Sequence, residues 1–194
     1  RRLHHILTDF MSNCTEVTSP FIVKREVKKV AVVVFASNTS LCGGFNANVI
    51  RHLVDLLAEY KPLGLENILV FPVGKKVADA VRKLGFRIEG DFQHMADKPS
   101  YQEAADLAAD LMKRFLHGDV DKVELLYNHF KSTASQILTR ETYLPIDLNN
   151  EKKEEERTID YILEPSAEEL MQEMLPKVLR MKMFTVLLDS NAAE

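Results

Sequence analysis

The chain has 194 residues and a formal net charge of −4, and its hydrophobic (46%) and charged (28%) fractions are those of an ordinary globular protein. This acidic balance argues against a nucleic-acid-binding protein, which usually carries a basic excess. With only two cysteines, Cys14 and Cys42, no disulfide framework is expected. No apolar run approaches the roughly 20 residues that a membrane-spanning helix needs.

The chain opens on a helical pattern. Apolar side chains recur at helical spacing over Arg1–Ser12, and the Ser-, Thr- and Asn-rich stretch Asn13–Pro20 predicts a loop. Because the pattern begins at Arg1 in mid-helix and without a methionine, we expect the chain to be a piece of a longer protein.

The next part of the chain alternates between strands and helices. The run Val30–Phe35 is apolar without alternation, which is typical of a strand buried on both faces of a parallel sheet. A turn over Ala36–Gly44 follows. The further predicted elements are a helix from about Asn46 to Tyr60, ended by Pro62 and Gly64, a strand over Asn67–Val73, a helix over Lys75–Leu84 closed by Gly85, a short strand over Arg87–Asp91, and a helix capped by Ser100 and Glu103 that runs to about Leu116.

The last third is predicted to contain strands followed by a long helix. Its elements are a strand over Lys122–Phe130, a strand over Ser135–Pro145 that continues or pairs with it, a solvated charge run over Asn149–Arg157, a short strand over Tyr161–Leu163, and a final helix capped by Ser166 with an apolar stripe of Met171, Met174, Leu175, Val178 and Leu179. Pro176 predicts a kink or a restart in that helix. The alternation predicts a Rossmann-like three-layer α/β sandwich with a mostly parallel sheet.

The loop Ser40–Asn46 is the most suggestive candidate for a ligand site. It follows a buried strand and opens a helix, which is where α/β proteins place phosphate groups. However, Gly43 and Gly44 are adjacent, whereas a dinucleotide-binding motif needs three spaced glycines. We interpret the loop as a tight turn in which glycine supplies positive φ or close packing. The alternative hypothesis is a nucleotide-binding α/β enzyme that uses the turn Cys42–Asn46.

Other catalytic motifs are incomplete. A P-loop at Gly74-Lys75 would need glycine at position 69 and Ser or Thr at position 76, where the chain has Leu69 and Lys76. The six histidines lack metal-binding spacing, and Cys42 has no identifiable base partner. We therefore expect no catalytic residue, no cofactor and no metal site. A third hypothesis is an oligomeric module whose apolar helix stripes self-associate.

Several segments resemble the gamma subunits of F-type rotary ATP synthases. Leu41-Cys42-Gly43-Gly44-Phe45-Asn46 is similar to the family's glycine loop, and Tyr161–Ser166 is similar to its Tyr-x-Tyr-Glu-Pro segment. The other matching segments are Tyr127–Gln136, Leu144-Pro145 and Leu188–Glu194. The chain departs from the family at Asn38-Thr39-Ser40, where the family has Asp-Arg-Gly or Asp-Gln-Gly. No role of that charged residue is therefore carried over.

The resemblance implies a non-catalytic subunit of the rotor's central stalk. Such a subunit transmits torque between the proton-driven c-ring and the catalytic alpha/beta hexamer, and so couples proton transport to ATP synthesis. The implied partners are the epsilon subunit, the polar loops of the c-ring and, through a coiled coil that we expect to lie outside this chain, the alpha/beta hexamer. No nucleic-acid partner is implied. The candidate contacts to epsilon and the c-ring, by match to the family segment, are Tyr161, Leu163, Glu164 and Pro165.

The resemblance also implies a location and a domain organisation. We expect peripheral attachment to the cytoplasmic face of the bacterial inner membrane through the complex, with an organellar inner membrane as the alternative. Residues 1–18 are expected to be a remnant of an N-terminal stalk helix and linker, residues 19–165 the α/β domain, and residues 166–194 a helix returning toward the stalk. In this interpretation both terminal helices are stubs of one antiparallel coiled coil.

Overall fold

The computed structural model describes residues 19–39, 43–132, 135–147 and 167–194. The elements in these ranges are β1 Val30–Phe35, α1 Gly43–Tyr60, two short 3-10 helices over Lys61–Leu63 and Leu65–Asn67, β2 Ile68–Val73, α2 Lys75–Lys83, β3 Arg87–Ile88, α3 Gln93–Asp97, α4 Tyr101–Leu116, β4 Lys122–Ser132, β5 Ser135–Leu144 and α5 Ala167–Ala193. The predicted helix Arg1–Ser12, the charge run and the strand Tyr161–Leu163 lie outside the described residues.

The strands form one five-stranded sheet in the order β3-β2-β1-β4-β5. β1 pairs in parallel with β2 and with β4, and β3 pairs in parallel with β2. β5 pairs antiparallel with β4, so Ser135–Leu144 is a separate partner strand and not a continuation. The mostly parallel α/β sheet is confirmed, and the central strands β1 and β2 are buried at all six positions, as parallel strands covered on both faces must be.

Side chains of β1 alternate between two hydrophobic cores, one on each face of the sheet. Val30, Val32 and Val34 join the core that also contains the apolar faces of α1 and α2. Ala31, Val33 and Phe35 join the other core, which contains residues of α3, α4 and α5. Helices therefore cover both faces of the sheet, as the predicted three-layer sandwich requires.

Two local predictions are confirmed, one is corrected, and one helix was not predicted. Ser100 caps α4 by accepting a hydrogen bond from the Glu103 N–H, and Gly85 follows α2 with a φ of +85°. Helix α3 has no counterpart in the sequence prediction because five residues are too few to show a period. Of the kink or restart predicted at Pro176, the restart is wrong, since α5 is a single helix of 27 residues that contains Pro176. Proline removes one backbone hydrogen bond there, and burial of the helix on both sides of it keeps the helix continuous.

Candidate functional site

One feature distinguishes α5 from a free terminal helix: its apolar face belongs to the domain core. The buried members of that face are Met171, Leu175, Val178, Leu179, Met183, Val186 and Leu187, each at most 6% exposed. They share this core with β4 and α4, against which α5 packs. The described part of the predicted C-terminal coiled-coil stub is thus a layer of the α/β domain. We call this packed face, with the polar contacts along it, the α5 junction.

Polar contacts hold α5 at several points along its length. The Tyr143 hydroxyl donates to Leu179 O at 2.5 Å, Lys182 Nζ lies 2.9 Å from Glu141 Oε1, and Asn191 Nδ2 donates to Ala96 O at 3.0 Å. Burial raises the pKa of Tyr143 well above its usual range, so this hydroxyl stays protonated and remains a donor.

The densest polar contact of the α5 junction is at Asp189. Its carboxylate accepts the backbone N–H of Phe130 at 2.8 Å, and its other oxygen lies 2.5 Å from His129 Nδ1. Both partners are in β4, about 60 positions earlier in the chain. From Met171 to Asn191 the helix rises roughly 30 Å at about 1.5 Å per residue. In the described part of the chain, α5 is therefore attached to the domain by a long apolar face and by the four polar contacts given above.

A second polar cluster joins β4, β5 and α1 on the opposite side of the domain. Glu124, only 2% exposed, accepts two hydrogen bonds from Arg140, at 2.7 Å from Nε and 3.0 Å from Nη2, and one from the Tyr60 hydroxyl. Arg140 also donates to Glu59 at 2.6 Å. Burial raises the pKa of Glu124, but the hydrogen bonds from Arg140 and Tyr60 outweigh it and leave the pKa below its usual range. The bidentate pair thus keeps a buried carboxylate ionised.

Asp121 performs a similar role at the entrance to β4. One oxygen accepts the backbone N–H groups of Lys28 and Lys29 at 2.9 Å, and the other accepts Arg25 Nε at 2.8 Å. Burial raises the pKa of Asp121, but these three donors together hold it below the usual range. Arg25 also lies 4.2 Å from the centre of the Phe115 ring. The segment before β1 is therefore tied to the sheet by charge-assisted hydrogen bonds.

The glycine turn is placed differently from the prediction. Gly43 and Gly44 are the first two residues of α1, and Gly44 has no positive φ. A Cβ added at Gly44 would meet no heavy atom within 4 Å, so neither positive φ nor close packing explains this glycine. The expectation fails there because the helix begins at Gly43, three residues before the predicted start at about Asn46. Leu41 and Cys42 lie outside the described residues.

Asn46 closes the connection between β1 and α1. It is 4% exposed, its Oδ1 accepts the Ser37 N–H at 2.9 Å, and its Nδ2 donates to Ser37 Oγ and to Thr39 O at 2.8 and 3.0 Å. These bonds satisfy buried loop groups that would otherwise be unpaired. Phe45 is half-buried beside it.

Replacing Gly44 with alanine is expected to stabilise the chain by about 0.5 kcal/mol, because alanine fits the helix and reduces the entropy of the unfolded state. Gly74→Ala is the matched control. Gly74 has a φ of +130°, and its added Cβ would lie 2.5 Å from Ala36 O. That change should destabilise the chain by about 1–3 kcal/mol. Urea unfolding of both variants checks this, and a loss of stability in Gly44→Ala would contradict the placement of Gly44.

A cavity of about 680 Å³ opens beside the two carboxylate clusters. Six of its charged side chains form ion pairs: Arg25 with Asp121, Arg140 with Glu124, and Lys182 with Glu141. Within the described ranges, no three metal-ligating side chains converge, and no helix is long and apolar enough to cross a bilayer. The candidate contacts Tyr161, Leu163, Glu164 and Pro165 lie outside those ranges and remain a prediction.

Neither Glu124 nor Asp189 was predicted from the sequence. A buried pairing of Glu124 could have been predicted, because a carboxylate inside the apolar run Val123–Tyr127 needs a buried partner. No sequence pattern predicts the contacts of Asp189, since its partners are distant in sequence and only the folded sheet brings them together.

Comparison with known proteins points to one family. A protein-family model described as ATP synthase matches residues 1–194. The ATP synthase gamma chain of Phocaeicola vulgatus is 76% identical over the whole chain and 68% of its own length, and that of Bacteroides thetaiotaomicron is 53% identical over the whole chain and 69% of its own length. In fold, the chain is similar to one in the structure of Tetrahymena thermophila mitochondrial ATP synthase, central stalk and c-ring. That match has a TM-score of 0.60 and 22% identity, and covers 95% of this chain and 79% of the other.

Proposed function

This chain belongs to the gamma-chain family of ATP synthase, and we propose that it acts as the α/β domain of the central-stalk rotor subunit. The observation that carries the proposal is the family match along all 194 residues, with 76% identity to a bacterial gamma chain. The match favours this function over a nucleotide-binding enzyme or a self-associating module, because neither alternative accounts for similarity along the whole chain.

In the proposed mechanism the domain transmits torque and carries out no chemistry of its own. Torque generated at a proton-driven c-ring enters the α/β domain and leaves through α5, and through the predicted N-terminal helix, toward a catalytic alpha/beta hexamer. The α5 junction supports this role, because the helix is held by its buried apolar side chains and by four polar contacts. These contacts join Leu179 to Tyr143, Lys182 to Glu141, Asp189 to Phe130, and Asn191 to Ala96. Packed interiors transmit strain with little compression, so a rotation of the sheet carries the helix with it.

The proposed partners and location also rest on similarity to known ATP synthase chains. We propose contacts with the epsilon subunit and the c-ring through Tyr161, Leu163, Glu164 and Pro165, and a peripheral position at the cytoplasmic face of a bacterial membrane. Two observations support this placement: the similar gamma chains are bacterial, and the similar Tetrahymena chain comes from a central stalk and c-ring assembly.

Rotation of this domain within the assembled complex tests the proposal. A bead is attached to Arg82→Cys on α2, a side chain 59% exposed, in a gamma subunit whose Cys14 and Cys42 are replaced by serine. With the alpha/beta hexamer immobilised, the bead is expected to rotate in one direction when ATP is added and to stop when ATP is removed. A complex that hydrolyses ATP while the bead stays stationary would show that this domain is not part of the rotor.

A further inference from the structure

A polar cavity of about 430 Å³ lies where α1 begins beside β4 and β5. It is lined by Gly44, Phe45, Ala47, Asn48 and Arg51 of α1, Asn128 of β4 and Gln136 of β5. This lining contains one cation and no carboxylate. The cavity lies near the switch point of the sheet, since the chain leaves β1 for β2 on one side while β4 pairs with β1 on the other.

Asn128 is the unusual residue of this lining. It is 2% exposed, and its Nδ2 is the only buried side-chain nitrogen or oxygen of the described residues that has no hydrogen-bond partner. Buried amide groups in native proteins are almost always paired with protein, water or ligand. An unpaired amide donor beside a polar cavity therefore indicates an acceptor that belongs in that cavity.

The other groups of the lining favour an acceptor with negative charge. α1 is 18 residues long, and the backbone N–H groups of its first turn give its start a partial positive charge. Arg51 lies two turns further along, and its Nη2 donates to Asn48 Oδ1 at 2.7 Å, which holds the guanidinium at the lining. The Gln136 amide supplies a further donor from β5.

We propose that this cavity binds a small oxyanion of the phosphate class, either free or as the phosphoryl group of a larger ligand. Asn128 Nδ2 donates to one oxygen, and the first turn of α1 and Arg51 balance the charge. The cavity of about 430 Å³ is about fourteen times the roughly 30 Å³ that one liquid water occupies, so it accommodates a phosphate-sized group. This site is distinct from torque transmission and requires no bond making or breaking.

Titration of the isotope-labelled 194-residue chain with inorganic phosphate at constant ionic strength tests the proposal by NMR. We expect saturable shifts of the Gly44 and Phe45 amides and of the Asn128 side-chain amide, with no comparable response to chloride. Asn128→Leu keeps the volume and removes the donor, and should weaken phosphate binding about tenfold or more, as expected for loss of a hydrogen bond to a charged group.

A pair of arginine variants keeps the test valid if Asn128→Leu does not fold. Arg51→Gln should also weaken phosphate binding several-fold. Arg82→Gln is its matched control, because Arg82 is likewise exposed on a helix and bonded to a residue three positions earlier, and it should change nothing. The proposal is overturned by absence of saturable shifts, by unchanged affinity in both Asn128→Leu and Arg51→Gln, or by equal losses in Arg51→Gln and Arg82→Gln.

The source of the anion is distinguished by repeating the titration with ADP. Tighter binding of ADP than of phosphate assigns the cavity to the phosphoryl group of a larger ligand, whereas equal or weaker binding assigns it to the free anion. Because these measurements use the chain alone, their failure leaves the proposed rotor function unaffected.

Discussion

Replacing Arg140 with alanine is expected to destabilise the chain by about 3 kcal/mol at pH 7. Arg140 provides both charge-assisted bonds to the Glu124 carboxylate, whose side chain is only 3% exposed. Without them, the carboxylate is either buried with only the Tyr60 hydroxyl as partner or becomes protonated. Breaking a buried pair by removing one partner costs far more than losing an exposed pair, because the remaining charge is uncompensated.

The same change is expected to reverse the contribution of Glu124 to pH dependence. In the native chain the pKa of Glu124 is lowered, so its stabilising contribution is present above the unfolded pKa of about 4.3 and is lost as the pH falls through the folded pKa. In Arg140→Ala, burial remains and its main opponent is gone, so the folded pKa lies above the unfolded one. The variant then loses stability as the pH rises through that folded pKa.

Urea unfolding from pH 4 to pH 8 measures both effects as a difference between variant and native chain, which removes the shared contribution of Asp121. The deficit of Arg140→Ala should be smaller at pH 4 than at pH 7 and grow as the pH rises between them. Arg82→Ala, which breaks the exposed pair with Asp79, should cost less than about 1 kcal/mol at every pH. A deficit of Arg140→Ala that is equal at pH 4 and pH 7 would mean that lost packing, not unpaired charge, is responsible.

The double variant Glu124→Leu, Arg140→Leu separates these causes further. Replacing a buried ion pair by apolar side chains is often close to neutral, so this variant should recover most of the stability that Arg140→Ala loses. If it is as unstable as the single variant, the cluster stabilises the fold through its hydrogen-bond geometry between α1, β4 and β5.

The layers of this fold could be predicted because its central strands carry a clear signal. Val30–Phe35 has no polar position, so only a strand covered on both faces accommodates it, and helices in alternation with such strands lead to a parallel sheet. The helix ends at Ser100 and Gly85 could also be predicted, because helix capping depends on residues that are close together in the sequence.

The α5 junction could not be predicted because an apolar stripe does not specify its partner. The stripe of Leu175 and Leu179 fits a coiled coil and a sheet equally well, and the choice depends on the surface that β4 and α4 present. The Asp189 contacts could not be predicted either, since they join positions about 60 residues apart in the sequence. Gly44 was misjudged for a local reason: a glycine pair after a strand is typical of a turn, yet here it begins a helix.

Leu175→Ala is expected to destabilise the chain by about 2–5 kcal/mol, the cost of deleting a large side chain from a packed core. Leu175 is fully buried in the core shared by α5, β4 and α4. If α5 is a layer of the domain, its loosening should reduce the free energy of unfolding of the whole chain in one cooperative transition, with an unchanged denaturant slope.

Leu188→Ala is the matched control on the same helix, because Leu188 is 45% exposed and its truncation should cost less than about 1 kcal/mol. Urea unfolding followed by circular dichroism compares the two variants. A small, equal effect of both changes, or a separate early transition in Leu175→Ala, would mean that α5 unfolds independently of the sheet. A helix that separates so easily would slip under load, whereas one whose release requires the core to open stays fixed to the sheet. The difference between the two leucine variants therefore measures how firmly the α/β domain holds the helix through which we propose that torque leaves it.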